Sequence, residues 1–528
     1  VAQAVKLVLA TALLFLVLIQ PNHPGALTWG ALRLFPLELP VLVLGLIALP
    51  RWRWLCTVLA LALVAVAVLK LADFALFVAF GRGFNPVTDW NLIDAGWRLG
   101  AGALGVPLAV LAALALVVLL AGLVLGLRWA LLQWSAVRLP PPARLGTGAA
   151  AVAALALAVA EIGQARQAWT LPFEPPGAAF TARVAWERVG MIRATRADLA
   201  AFRAAAASDT LAAAPGQLAA LQGREVIVVF VESYARASLD NPLYAPSHRQ
   251  VLAAAEGKLA AAGLAVRSGL LVSPIEGGQS WLAHATLATG LRVDGPVRYA
   301  ALLASPRQTL WQIAQAAGYR TAAVMPAISM AWPEGARLGF DVALDAGSLG
   351  YAGPAFNWIT MPDQFTLAAF RDRLPPDGRP LFAMVALVSS HAPWVPVPAL
   401  IPWDEIGDGR VFARFTEGAP TPREVWADQD RIRAQYGLSI AYALETVFDW
   451  AARQGPDGPL VVILGDHPPV QFVSGSASRE VPVHLVGPPA ALAAFDGWDW
   501  AGGTIPGGEA ILMEDFRDRF LTALRAAP

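Results

Sequence analysis

With 528 residues, 56% of them hydrophobic and only 15% charged, the chain is too long for one ordinary core and too apolar to be water-soluble throughout. Its formal charge of zero hides an asymmetry: ten basic residues against five acids up to residue 164, then 29 against 34 beyond it. Neither part carries the strong positive balance that binding a phosphate backbone needs, so no nucleic-acid partner is expected.

Residues 1–164 hold five apolar spans, near the length a helix needs to cross ~30 Å of hydrocarbon. They are Ala4–Ile19, Leu34–Leu49, Trp54–Phe80, Ala101–Leu127 and Gly146–Gly163. The second contains Pro36 and Pro40, and the third carries Lys70 and Asp73, three apart, as a pair or as the point where the helix leaves the bilayer. Counted with the N-terminus inside, Lys6, Arg51, Arg53, Arg128, Arg138 and Arg144 fall on the cytoplasmic side, against Arg33, Arg82 and Arg98 opposite. That bias sets the N-terminus inside, and an odd number of spans then puts everything after Gly163 on the outer side. The first span lacks a small-residue cleavage pattern before "QPNHPG", so it is expected to stay as an anchor. Trp52, Trp54 and Trp129 at the span ends read as interfacial anchors. The one cysteine, Cys56, lies in the third span and leaves no disulfide within the chain.

Residues 165–222 form an Ala-rich helical connector, and 223–528 the chemical domain. From Arg224 short apolar runs alternate with helical stretches, the pattern of an α/β domain with a mainly parallel sheet. Strands are expected at Val226–Val231, Ala265–Val272, Thr321–Met325, Leu381–Val388, Leu460–Leu464 and Val481–Val486. Helices are expected at Ser280–Thr289, Thr309–Ala317, Arg423–Arg453 and Gly508–Ala526.

Two of these core strands end on ionisable groups: "EVIVVFVES" on Glu232, and "LVVILGDHPP" on Asp466 and His467. Carboxyl ends of strands in an open α/β sheet converge on one crevice, and two carboxylates with an imidazole suit a divalent cation. Each residue taken singly could instead cap a helix or face water. In "SPIEGGQSWLAHATLATGL", Ser280 opens a helix after two glycines. A hydroxyl there faces the positive helix end, and a metal beside it would make it a nucleophile; the alternative is a plain N-cap. His284, one turn on, faces the same way and reaches either the site or the core. His484, in "VPVHLV", reads as a buried histidine with a hydrogen-bond partner, and His248 as a surface residue.

The order "VIVVFVES", "GGQSWLAHATLATG", "SSHAPW", "QYGLSIAYALETVFDW" and "LVVILGDHPP" resembles the alkaline phosphatase and sulfatase superfamily. More narrowly, five spans followed by such a domain are similar to the lipoteichoic acid synthase type of phosphoglycerol transferase, with phosphoethanolamine transferases as near relatives. The resemblance implies Glu232, Asp466 and His467 as metal ligands, with Ser280 as fourth ligand and covalent nucleophile where the transferases usually carry Thr. It implies that His391 of "SSHAPW" contacts the substrate phosphate and that Trp332 lies by the head group. The Arg that follows this Trp in phosphoglycerol transferases is replaced by Pro333 and Glu334. The C/S-x-P-x-R setting of arylsulfatases is missing from "GGQSWLA", which disfavours sulfate ester hydrolysis.

The expected protein is thus a bundle of five transmembrane helices followed by a sulfatase-like α/β domain. Its expected activity is transfer of a phosphoglycerol or phosphoethanolamine group from a membrane phospholipid to a glycan or lipid acceptor. One divalent metal is expected, Mn²⁺ ahead of Zn²⁺. The alternatives are a phosphoester hydrolase with the same site and a non-catalytic envelope scaffold or sensor.

Overall fold

The computed structural model describes residues 1–80, 82–90, 92–94, 96–97, 101 and 105–525. Arg98 and positions 102–104 of the expected fourth span lie outside the described residues. The chain divides into two units, Val1–Leu199 and Ala200–Pro528.

In the first unit four helices are long and apolar enough to cross a membrane: α1 (Ala2–Ile19), α3 (Arg53–Phe80), α4 (Val106–Ser135) and α5 (Pro141–Ala165). The expected second span is the shorter helix α2 (Glu38–Ala48), whose 11 residues extend about 16 Å at the α-helical rise. Local structure trims it. Pro36 pairs in extended conformation with Ala178, and Glu38, the first helical residue, accepts the Ala182 N–H at 2.9 Å. The helix α6 (Phe180–Ala206) follows. Lys70 and Asp73 take separate partners rather than each other. The Lys70 ammonium donates to Leu18 O at 3.0 Å and Thr181 Oγ1 at 2.7 Å, over the face of Phe180. Asp73 is paired with Arg188 and accepts from Asn22 Nδ2 at 3.2 Å and Phe84 N at 2.9 Å.

The second unit is built on one sheet of order β4-β3-β5-β1-β6-β7-β2-β8, with β9 beside β2. Its strands are β1 (Val226–Val231), β2 (Ala265–Val272), β3 (Arg320–Met325), β4 (Val342–Asp345), β5 (Leu381–Ala386), β6 (Leu460–Gly465), β7 (Glu480–Gly487) and the two-residue β8 (Ala501–Gly502) and β9 (Ile511–Leu512). The run β4-β3-β5-β1-β6 is parallel, and β7 turns antiparallel between β6 and β2. Strands β1, β5 and β6 are buried on both faces, which is why they read as continuous apolar runs. One face packs on α7 (Ala245–Ala261), α9 (Asp363–Ala369) and α10 (Gln429–Ala452). The other packs on α8 (Ser280–Thr289) and α11 (Met513–Leu524). The single helix expected over 423–453 is broken because Asp428, extended at φ −141°, starts α10 afresh by accepting the N–H groups of Asp430 and Arg431.

Candidate active site

Register brings the first two acids together. Strands β1 and β6 pair in parallel with Val231 opposite Gly465, so the next residues, Glu232 and Asp466, leave the sheet level with one another. Gly465 has to be glycine: a Cβ there would stand 1.7 Å from the Tyr234 carbonyl oxygen, where the turn after β1 crosses over β6. Ser233, at φ 60°, makes that turn, and its N–H donates to Asp466 Oδ1 at 2.9 Å. The His467 N–H donates to the same oxygen at 2.7 Å. Asp466 therefore spends one oxygen fixing two backbones and keeps the other for the site.

His467 donates from Nδ1 to the Pro468 carbonyl at 2.9 Å, since a carbonyl can only accept; in the neutral ring Nε2 then carries the lone pair. That nitrogen lies 3.1 Å from Glu232 Oε1 and 3.9 Å from Asp466 Oδ1. The loop after β2 supplies the hydroxyl. Ser273 Oγ donates to Asp466 O and the Gly277 N–H to Pro468 O, stitching this loop to the end of β6. Gly277, Gly278 and Gln279 then run at positive φ, and Gln279, not Ser280, occupies the N-cap position of α8. Ser280 is therefore free of capping. Its Oγ donates to Glu232 Oε2 at 2.7 Å and lies 3.2 Å from His467 Nε2.

These groups form a donor set of two carboxylates, one imidazole and one hydroxyl. One ligand atom from each of Glu232, Asp466 and His467 lies within 4.8 Å of the others, all three residues being buried. Tetrahedral ligands about 2.1 Å from an ion are about 3.4 Å apart, and the separations of 2.7, 3.1 and 3.2 Å among the Glu232, His467 and Ser280 atoms lie close below that value. The electrostatics point the same way. Burial, and then the Glu232 charge, push Asp466 up to about 7. For His467 burial opposes the charged ring, but Asp466 and Glu232 outweigh it and lift the imidazole to about 10. Glu232, despite burial, is drawn below the usual carboxylate range by His467, with a further pull from His391. The protons are doing what a cation would do better, and the residues fit a divalent ion.

The remaining predicted residues fall at different depths. His391 ends the loop after β5 on the exposed rim; its Nδ1 donates to Ala392 O at 2.5 Å. His284 lies one layer down, its ring 4.1 Å from that of Phe230, with neither ring nitrogen hydrogen-bonded among the described residues. Burial depresses it to about 4, so the ring is neutral. Trp332 sits on the loop that follows β3, packed beside Phe340 and over Gly335. His484 is buried as expected: Tyr234 OH lies 3.1 Å from Nε2 and Ser268 Oγ 2.7 Å from Nδ1. His248 is not on the surface. It is fully buried on α7, stacked on Tyr244, where Nε2 donates to Gly437 O at 2.8 Å, a partner distant in sequence.

Sequence reasoning missed the groups that hold this site in place. Ser390 Oγ donates to the Glu232 carbonyl at 2.7 Å, and Tyr436 OH to the Ser233 carbonyl at 3.0 Å. Asp363 is fully buried and accepts the N–H groups of Val388 and Ser389, each at 2.8 Å; burial pushes its carboxyl up to about 6. The motif "SSHAPW" pointed at the Ser390 region. Nothing in "MPDQF" separates Asp363 from an ordinary acid in a first helical turn.

Residues 259–479 match the sulfatase family. No curated protein matches the chain. Among solved structures, the lipoteichoic acid synthase LtaP of Listeria monocytogenes is similar at 14% identity and a TM-score of 0.38, over 57% of this chain and 72% of that one. The Streptococcus pyogenes phosphoglycerol transferase GacH is similar at 14% identity and 0.37, over 62% and 84%. The periplasmic domain of EptC from Escherichia coli, a zinc complex, is similar at 14% and 0.36, over 56% and 80%. At such identities these likenesses say nothing of substrate. The match to the sulfatase family falls within the α/β unit.

Proposed function

We propose that the chain is a membrane-anchored, metal-dependent phospho-group transferase. It moves a phosphoglycerol or phosphoethanolamine head group from a lipid donor, through a covalent intermediate on Ser280, to a glycan or lipid acceptor of the bacterial envelope. The observation that carries this reading is the Ser280 hydroxyl, uncapped at the head of a helix and in hydrogen-bond reach of both Glu232 and His467.

Glu232, Asp466, His467 and Ser280 would hold the divalent cation, and three oxygens among four donors put manganese ahead of zinc. When bound, such an ion lowers the pKa of a ligating hydroxyl and offsets charge on phosphoryl oxygens. Ser280 Oγ, held by its 2.7 Å bond to Glu232 Oε2, supplies the attacking atom and gives up its proton as it attacks. As the Oγ–P bond forms, the P–O bond to diacylglycerol breaks and the departing oxygen takes up that proton. An acceptor hydroxyl then displaces Ser280 in the reverse sense and returns a proton to it. His391 on the rim is placed to steady the phosphoryl oxygens, and the free N–H groups of the first turn of α8 favour the same anion. Trp332 on the β3 loop and His284 beneath Ser280 complete the proposed substrate-binding set. Trp281, 45% exposed directly after the nucleophile, offers an apolar face to the lipid part of a donor.

We infer five passes of the chain through the bundle, with the α/β unit on the outer side of the inner membrane. Lys70 in the second half of α3 meets Leu18 O, and the Gln20 amide just after α1 meets Ala67 O, which supports reading those two helices as running the same way. A return of the chain between them through α2 is supported by Ala48 O at its end meeting Arg144 at the start of α5. Arg51, Arg53, Arg128, Arg138 and Arg144 gather toward the opposite end from Lys70, as a cytoplasmic end requires.

The test is the intact mass of the full chain after incubation with manganese and phospholipid. The mass added to wild type and missing from Ser280→Ala names the transferred group. Free head-group phosphate with no modified acceptor would make the protein a hydrolase instead.

A further inference from the structure

We propose that Asp363 is a positioning residue for the catalytic cluster: one buried carboxylate holds the loop after β5, and that loop fixes the backbone of Glu232 and the place of His391. The proposal rests on the transferase reading for the roles of those two residues, and on geometry for everything else.

The connections can be followed atom by atom. Asp363 Oδ1 accepts from the N–H groups of Val388 and Ser389, and the Asp363 N–H donates in return to Ser389 Oγ at 2.8 Å. Three reciprocal bonds thus lock Val388 and Ser389, just beyond the strand, to the first turn of α9. The next residue, Ser390, donates its hydroxyl to the Glu232 carbonyl at 2.7 Å, and its own carbonyl accepts Trp394 Nε1 at 2.7 Å. Trp394 holds a left-handed backbone at φ 59°, and its ring meets Tyr436, whose hydroxyl donates to the Ser233 carbonyl. Glu232 and Ser233 are therefore held from the β5 side as well as by their own strand. His391 is tied into the same loop through its N–H to Val388 O at 3.0 Å.

A buried acid is a costly way to bind two amides unless its exact place matters. Asp363 is fully buried, its Oδ2 has no hydrogen-bond partner among the described residues, and it faces the negative charge of Glu232. Through Ser389 it places Ser390, which is bonded to the backbone of Glu232; outer partners of that kind set a metal ligand's position, and removing them weakens metal affinity.

The experiment compares full-length wild type, Asp363→Asn, Asp363→Leu and Ser390→Ala by manganese titration and by amide hydrogen exchange without metal. Asparagine keeps an acceptor for both N–H groups, so its affinity should stay within about 3-fold of wild type, whereas leucine should lose roughly 10- to 100-fold. Exchange in Asp363→Leu should quicken at 388–391 and also at 232–234. Ser390→Ala, which cuts only the link to Glu232, should weaken manganese by about 10-fold and keeps the proposal testable if the leucine variant fails to fold. Unchanged affinity in Ser390→Ala, or faster exchange confined to 388–391, overturns the proposal. A wild type that binds no divalent cation sinks the transferase reading, while the exchange pattern still decides the role of Asp363.

Discussion

Buried charge is met in opposite ways in the helical unit and at the catalytic cluster of the α/β unit. In the helical unit the buried charges of α3 meet complementary groups: Asp73 has Arg188, an amide and a backbone N–H, and Lys70 has a carbonyl, a hydroxyl and an aromatic face. In the α/β unit two carboxylates share a single imidazole, with no Lys or Arg in the cluster. Burial alone therefore does not mark a site. An unbalanced buried cluster does, because only a bound ion or extra protons can settle it.

The comparison can be broken most decisively at Ser280. Ser280→Ala, or chelation of the metal, should lower transfer by about 10⁴- to 10⁶-fold while leaving the fold intact, as read by product formation beside thermal unfolding. Activity surviving both treatments would remove the reason to regard the cluster as a site.

Matched and unmatched charge should next respond with opposite signs to the same change of carboxylate to amide. Asp73→Asn leaves Arg188 without its anion and should cost about 3–5 kcal/mol in detergent-solubilised protein. Asp466→Asn keeps an acceptor for Ser233 N and His467 N but removes one of two like charges, so metal-free protein at pH 8 should gain about 1–3 kcal/mol. The sign follows from the raised pKa. An acid lifted to about 7 when folded loses stability as pH climbs from about 4 to 7, and the amide is spared that loss. Equal destabilisation by both variants would erase the contrast.

A smaller effect sharpens the picture within the α/β unit. His484 is held neutral by burial and depressed to about 3, so the unfolded chain binds its proton first. Stability should fall as pH drops below about 6.5, by about 2 kcal/mol at pH 5 from this residue. His484→Asn, less stable at pH 7, should show a pH curve flatter by nearly one proton, and parallel curves would count against the assignment.

What could be read in advance depended on how local its cause was. Strands β1 and β2 and helix α8 keep their expected bounds, and β6 gains only Gly465, because an apolar run ended by polar residues or glycines is a short-range signal. Strands β4, β8 and β9 were invisible, being two to four residues long and made only by pairing with a neighbour. His248 was misplaced for a related reason: nothing near it in sequence shows the Gly437 carbonyl that receives it.

By itself the sequence determined the apolar helices of the first part, the mainly parallel sheet of the second, and the polar residues that end its central strands, since each is written in composition and period. Only the tertiary structure decided that Glu232 and Asp466 emerge level, that Ser280 turns its hydroxyl away from capping and toward them, and that Asp363 holds the neighbouring loop. Those facts depend on strand register and on contacts between residues tens to hundreds of positions apart, which no local pattern encodes.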